Sequence, residues 1–290
     1  MQVQNLNDVD VRVIRRRLPR RVVDLLRDHP GLIVAGGFVR DTVCNERPSD
    51  VDVFGPSEEA VVGAVAALAG TAVTVVAKLD RDRVYSFERG EDFVRVYRTD
   101  NAFTVRLPGD GPPVQLIHRW TYATVDELLA SFDFTVAEAA VQWSAPLGRL
   151  VGRCSADFYP DLAARRLVYT RPQHNENAGG SMLRLLKFVR RGYSAPLDSV
   201  GAVVARLAGA VDPGRVGRWP SSYEMGSPER TASERDVAVV LTALLVQVDP
   251  RTVLHHPDGW DDRDAPSAAG AVHRDLFVDL VDDDEHDEAF

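Results

Sequence analysis

The chain has 290 residues, of which 45% are hydrophobic and 27% charged, values that suit one large or two small globular domains and exclude wholesale disorder, collagen and coiled coil. No apolar run approaches the ~20 residues of a membrane helix. The N-terminal MQVQNLNDVD has no apolar signal core, and Cys44 and Cys154 form neither a CxxC nor a His/Cys cluster. The expectation is a cytoplasmic protein with no membrane contact, no disulfide scaffold and no structural zinc. The net charge of −9 is concentrated at one end: residues 261–290 hold 11 Asp/Glu against 2 Arg, while residues 1–260 balance 32 acidic with 32 basic residues. A neutral body lacks the broad basic footprint of many nucleic-acid-binding proteins. Only two of the 34 basic residues are lysines, Lys78 and Lys187, a bias typical of GC-rich bacterial genomes.

Residues 9–28 repeat apolar positions at helical spacing, with a break at Pro19 and an Arg-rich face (Arg12, Arg15, Arg16, Arg17, Arg20, Arg21) open to two readings, a solvated helix surface or a patch for backbone phosphates. Residues 32–35 predict a short buried strand running into Gly36-Gly37, then a helix over 38–45. Val51, Val53 and Phe54 predict a second strand, and 57–70 an Ala/Val-rich helix. Strand-like runs follow at 72–77, at 93–98 with 102–107 as a hairpin about Asp100-Asn101, and at 113–117. A short helix is expected over 125–131, and a further hairpin over 134–142 and 148–153. From about residue 155 the pattern turns helical, with helices over 181–191, 197–209 and 234–248 and a Pro/Gly/Ser-rich stretch at 212–230. The expected organisation is an α/β head over 1–155, a helical neck and body over 156–260, and an acidic, partly disordered tail over 261–290.

The strongest chemical signal is AGGFVRDTVCNERPSDVDVF, residues 35–54. Successive side chains of a strand alternate faces, so Asp50 and Asp52 project to the same side. Carboxylates that close repel unless a cation lies between them. Two Mg²⁺ ions relieve that repulsion and can clamp the attacking and leaving oxygens of a nucleotidyl transfer. Gly36-Gly37 opens the next helix, where bare N–H groups can receive a phosphate, and Arg40 lies one turn on with a forked guanidinium.

This stretch resembles the GGxVRD…DxD signature of the DNA polymerase β-like nucleotidyltransferases, in particular the head of CCA-adding enzymes and bacterial poly(A) polymerases, with 12 residues between Gly37 and Asp50. Ser131-Phe132-Asp133-Phe134-Thr135-Val136 is similar to the family's RRDFTI segment, and 160–170 with Leu183–Phe188 and Gly192-Tyr193 is similar to its passage from head to neck. The resemblance implies a mixed sheet of about five strands flanked by helices, with a helical neck and body. It implies Asp50 and Asp52 as catalytic metal ligands, Gly36, Gly37 and Arg40 around the triphosphate of an NTP, and Asp133 near its ribose. Asp41 would brace the loop, and Arg184 and Lys187 on the neck would touch nucleotide or acceptor. Mg²⁺ and an NTP are the implied cofactor and substrate, with an RNA 3′ end such as that of tRNA as the first acceptor class and a protein or small molecule as the alternative.

The departures bear on the acceptor. Ser131 and Phe132 stand where the family carries two arginines, and Ala137 where it carries Asn. The acid/Arg pair that selects bases would fall on Asn177–Ser181 and is absent, which predicts relaxed base selectivity. The third carboxylate of many relatives would fall near Val114–Ile117, where Gln115 is neutral. Weaker candidates are His255-His256, Cys44, and the aromatics Tyr85, Tyr97, Phe103, Trp120 and Tyr122 as base-stacking groups or, equally, as core.

Overall fold

In the computed structural model, residues 1–90, 92–109, 111–170, 172 and 178–209 are described. The expected helix at 234–248, the stretch at 212–230, His255-His256, Asn177 and the acidic tail lie outside them. The chain divides into two compact units, Met1–Ala164 and Arg165 onward.

The first unit is a mixed α/β fold built on a nine-stranded sheet, in the order β1 (Val3–Asn5), β9 (Arg149–Ser155), β8 (Ala139–Ser144), β2 (Ile33–Ala35), β3 (Val51–Phe54), β7 (Val114–Ile117), β6 (Ala102–Arg106), β5 (Asp92–Arg98), β4 (Val84–Arg89). The expected five strands are therefore too few. Hairpins extend the central strands at both sides, β5–β4 on one and β8–β9 on the other, and β1 closes the far edge. β4 escapes a reading by burial because none of its residues is buried, and β1 because two of its three residues are polar and exposed. β3 and β7 run parallel; the other pairs are antiparallel.

Helices α1 (Asp8–Arg17) and α2 (Arg20–Asp28) flank Pro19, which cannot continue the first helix. α3 (Gly37–Val43) follows β2. α4 (Glu58–Ala69) starts at Ser57, whose hydroxyl accepts the Ala60 N–H, and ends at Gly70 in the left-handed region at φ 71°. Residues 73–76, expected as a strand, form the one-turn helix α5 (Val73–Val76). The β-branched run reads as a strand, but Val76 and Leu79 are its buried positions, a helical spacing, while Val73 and Val75 are exposed. The expected strand over 134–142 begins later, because Thr135–Ala137 form a 3-10 turn ahead of β8. α6 (Val125–Ser131) and α7 (Phe158–Ala163) complete the unit.

The two sheet faces are covered unequally. On one, α4 packs over β4 to β7 and buries Val94, Val96, Phe103, Val105, Val114 and Leu116. On the other, α6 covers only the half toward β2 and β8: Val125, Leu128 and Leu129 meet Ile33, Ala35, Phe54 and Ala140. In the second unit, α8 (Ala178–Arg190) packs on α9 (Leu197–Gly209), with Leu183, Leu185, Phe188 and Val203 buried. Arg206 Nη1 donates to the Tyr169 hydroxyl at 2.9 Å and to the Pro172 carbonyl at 2.7 Å.

A polar group sits deep in the first unit beside the 3-10 turn. Thr135 Oγ1 donates to Asp161 Oδ2 at 2.5 Å, and Glu138 is only 3% exposed. Burial pushes the Glu138 carboxyl above its ordinary value of 4.5, and the neighbouring charges of Asp157 and Asp161 push it the same way. A raised folded-state carboxyl contributes stability that is complete below pH 4.5 and is lost as pH rises through the folded value. Glu138→Gln keeps the neutral form at all pH, so the variant should melt at a higher temperature than the parent at pH 7, with the gap closing toward pH 4. Thermal melts of both proteins across that range check this; a gap that does not change with pH contradicts it.

Candidate active site

The short strand β3 sets the geometry of the carboxylate pair. Asp50 immediately precedes it and Asp52 lies within it, both half-buried and on the face of Phe54. The parallel register sets Asp52 beside Gln115, and Gln115 Nε2 donates to Asp50 Oδ2 at 3.2 Å. Ser49 Oγ donates to Asp50 Oδ1 at 3.0 Å. The Gln115 amide is thus level with one aspartate and bonded to the other.

Continuing the β2–β3 register, Ile33 opposite Phe54 and Val34 opposite Val53, by one residue brings Ala35 level with Asp52. The Gly-Gly turn therefore opens beside the carboxylates. Gly36 has φ 72°, a conformation that L side chains rarely adopt, and a Cβ there would stand 3.3 Å from the Phe132 ring. Its N–H donates to the Ala139 carbonyl at 3.0 Å, so Gly36 anchors the turn to β8. Gly37 and the first turn of α3 remain to offer N–H groups.

Arg40 is 8% exposed and Asp41 2%. Arg40 Nε donates to Asp41 Oδ1 at 2.7 Å, while its Nη2 lies 3.6 Å from where a Gly37 Cβ would be. Asp41 accordingly holds the guanidinium folded back along the turn. The Ser131–Asp133 segment reaches the same place from α6. Ser131 Oγ donates to the Leu128 carbonyl at 2.7 Å and closes that helix. Phe132 then lies over Gly36 and packs edge-on to Phe54 at 6.3 Å, leaving Asp133 buried one residue beyond. An aromatic contact fills the place the resemblance gives to an arginine, and nothing in the sequence marked Phe132 as part of this turn.

Arg184 and Lys187 lie on α8 of the second unit, Arg184 half-buried and Lys187 exposed. The other sequence candidates divide. Phe103 is fully buried core. Tyr85 and Tyr97 donate their hydroxyls to Asp80 and Asp82, Tyr122 packs edge-on to Phe54 at 5.9 Å, and Arg119 stacks on Trp120 at 4.9 Å. Cys44 caps the end of α3, and burial pushes the Cys154 thiol up to about 11, which keeps it protonated at neutral pH. Among the described residues no group of three His, Cys, Asp or Glu gathers as a metal site, and no helix is long and apolar enough to cross a membrane.

Residues 5–165 match the model of a family described as Gabija anti-defense 2 family protein. The chain belongs to this family. The Gabija anti-defense 2 match ends one residue past the first unit, so it spans the head alone. A comparison with curated proteins gives no match. Among solved structures, the chain is similar to a CCA-adding enzyme with CTP (16% identity, TM-score 0.43), covering 72% of this chain and 46% of that one. It is also similar to the Thermotoga maritima CCA-adding enzyme complexed with tRNA (14%, TM-score 0.46; 93% and 70%) and to a CCA-adding enzyme with ATP (13%, TM-score 0.46; 93% and 70%). The chain thus spans about half the length of the first of these, at 46%.

Gly36→Ala tests the turn. The substitution combines a disfavoured φ with a methyl group pressed on Phe132, and should destabilise the fold by about 1–3 kcal/mol. Adding Phe132→Ala should recover the steric part and leave the backbone part. Urea unfolding of the single and double variants separates the two; an unchanged midpoint for Gly36→Ala contradicts the assignment.

Proposed function

We propose that the head is a metal-dependent nucleotidyltransferase, transferring a nucleoside monophosphate from an NTP to an acceptor hydroxyl with release of pyrophosphate. The observation that carries this reading is the half-buried Asp50/Asp52 pair beside the Gly-Gly turn, with Gln115 bonded to Asp50 and level with Asp52. The donor set fits a hard divalent cation: carboxylate oxygens from both aspartates, with the Gln115 amide oxygen available if the amide turns over. A divalent cation such as Mg²⁺ held there supplies charge neutralisation for the triphosphate and acidity for the acceptor hydroxyl.

The residues of the chain do the rest. Gly37 has no side chain to obstruct the approach of the triphosphate, Gly36 fixes the turn, and Arg40 offers a fork to a phosphate while Asp41 holds it in place. Asp133 orients the ribose. The acceptor oxygen forms its bond to the α-phosphorus, the bond from that phosphorus to the bridging oxygen breaks, and the hydroxyl proton passes to solvent. Without an acid/Arg pair to read a base edge, selection among NTPs rests on shape and is weak.

For the acceptor, the head-and-neck motifs favour an RNA 3′ end of the tRNA kind. The family match favours a second reading: a role in countering Gabija defence, in which the acceptor is a protein or a small molecule. Incubating the protein with each labelled NTP and Mg²⁺, first with total RNA and then with lysates containing or lacking a Gabija system, separates the two by where the label appears.

Asp50→Asn and Asp52→Asn should each lower transfer by several orders of magnitude and leave the fold intact, since either change removes a metal carboxylate and relieves like-charge repulsion. Gln115→Glu should retain transfer and tighten its Mg²⁺ requirement, because a third anionic oxygen joins the pair. Transfer rates over an Mg²⁺ titration check both; full activity in Asp50→Asn or Asp52→Asn rejects the proposal.

A further inference from the structure

The face of the sheet that carries the carboxylates continues, uncovered by α6, across β7, β6, β5 and β4. Its rows follow from the strand register. Asp52 is opposite Gln115, Gln115 opposite Thr104, Thr104 opposite Tyr97, and Tyr97 opposite Val84. A second row, two residues along, sets Arg106 opposite Arg95 and Arg95 opposite Ser86. Phe93 comes next on β5, opposite Glu88. Because directly paired residues share a face, these side chains lie on the side of Asp52.

The burial values agree with that assignment. Along β5 and β6 the alternate residues Val94, Val96, Phe103 and Val105 are buried under α4, whereas Arg95 and Arg106 are exposed and Phe93 is 60% exposed. Val84 is 64% exposed. Strands are ~4.8 Å apart, so Tyr97 lies about 14 Å from Asp52, and Arg95 and Phe93 some 7 and 13 Å further along β5.

Two features of this surface call for a ligand. Arg95 and Arg106 are like charges directly opposed across a strand pair, an arrangement that costs stability. Among the described residues neither forms an ion pair. The second feature is a large aromatic residue, Phe93, held exposed on a rigid sheet, with Tyr97 four residues away on the same side. An anion between the arginines removes the repulsion, and flat apolar groups over the rings remove Phe93 from water. Unpaired nucleotides supply both at a regular repeat, whereas a duplex hides its base faces.

We propose that this face is a docking platform for a single-stranded nucleic-acid segment whose end reaches Asp50 and Asp52. Phe93 and Tyr97 stack bases, and Arg95 with Arg106 holds the intervening phosphates. The role of the bound end rests on the nucleotidyl-transfer reading; the binding does not. Glu88, at the outer edge of the same face, sets an acidic limit to the platform.

Fluorescence anisotropy on the full chain, with a labelled short oligo(U) RNA, the matching DNA, and the RNA annealed to its complement, tests the proposal. Both single strands should bind more tightly than the duplex. Arg95→Glu/Arg106→Glu should weaken single-strand binding at least about tenfold at low salt and make its salt dependence shallower. Phe93→Ala should weaken it at least about fivefold while keeping the salt slope. Arg12→Glu/Arg15→Glu on α1 changes the net charge equally at a distance from this face and should have a much smaller effect. Equal losses in the two charge-reversal variants, equal affinity for the duplex, or no binding of either single strand overturns the platform. Thermal melts of all variants guard against loss of fold. An Asp50→Asn protein separates the two ideas, since it should lose transfer and keep oligonucleotide affinity. If the parent protein transfers nothing and still binds through Arg95 and Arg106, nucleotidyl transfer fails and the platform stands.

Discussion

Two like charges on one side of a four-residue strand are the constraint around which the head is arranged. Asp50 and Asp52 repel each other, and the surroundings answer with neutral donors: Ser49 and Gln115 both donate to Asp50, and the parallel pairing of β3 with β7 fixes Gln115 level with Asp52. The neighbouring elements keep this place accessible. α6 stops short of it, and the turn after β2 is stripped of side chains at Gly36 and Gly37. The Arg40 guanidinium is held by Asp41 along that turn. A buried pair of this kind is costly to break, because removing one partner leaves the other charge without compensation.

Much of this was legible in the sequence, and the reasons differ from element to element. Helices such as α4 and α6 announce themselves through caps and apolar spacing, Ser57 and Gly70 for one and Thr124 for the other. The Gly-Gly turn and the Asp-x-Asp strand are local in sequence, so their chemistry can be read from twenty residues. What spacing cannot supply is register. The bond from Gln115 to Asp50 and the contact of Phe132 with Gly36 join positions 65 and 96 residues apart, and neither pairing follows from composition or periodicity. The edge strands stayed hidden for another reason: β4 has no buried face, so its alternation between half-buried and exposed positions gives no apolar signal. Val73–Val76 misled in the opposite direction, since a β-branched run can still be claimed by one helical turn when only every third position finds a core.

The unequal covering of the sheet connects fold to chemistry. One face of β4 to β7 is sealed by α4, which makes those strands a stiff support; the other is left polar and charged. A sheet face that the described helices leave exposed invites self-association unless its groups repel a second copy, and the paired arginines on β5 and β6 do that. The same charges that discourage a second sheet from stacking there would welcome a polyanion.

The pairing of β1 with β9 has a consequence for how the protein is made. Val3 lies opposite Ser155, so the first strand of the sheet finds its partner only after some 150 further residues have been synthesised. β2 waits a little over 100 residues for β8. Contacts this distant in sequence slow folding and postpone it until the domain has left the ribosome, whereas the β4–β5–β6–β7 meander can form early from neighbouring hairpins. The half of the head that carries the open face is therefore the half that assembles first, and the half that completes the Gly-Gly turn arrives last. A nascent chain stalled before residue 139 has its carboxylates but not the Ala139 carbonyl that anchors Gly36.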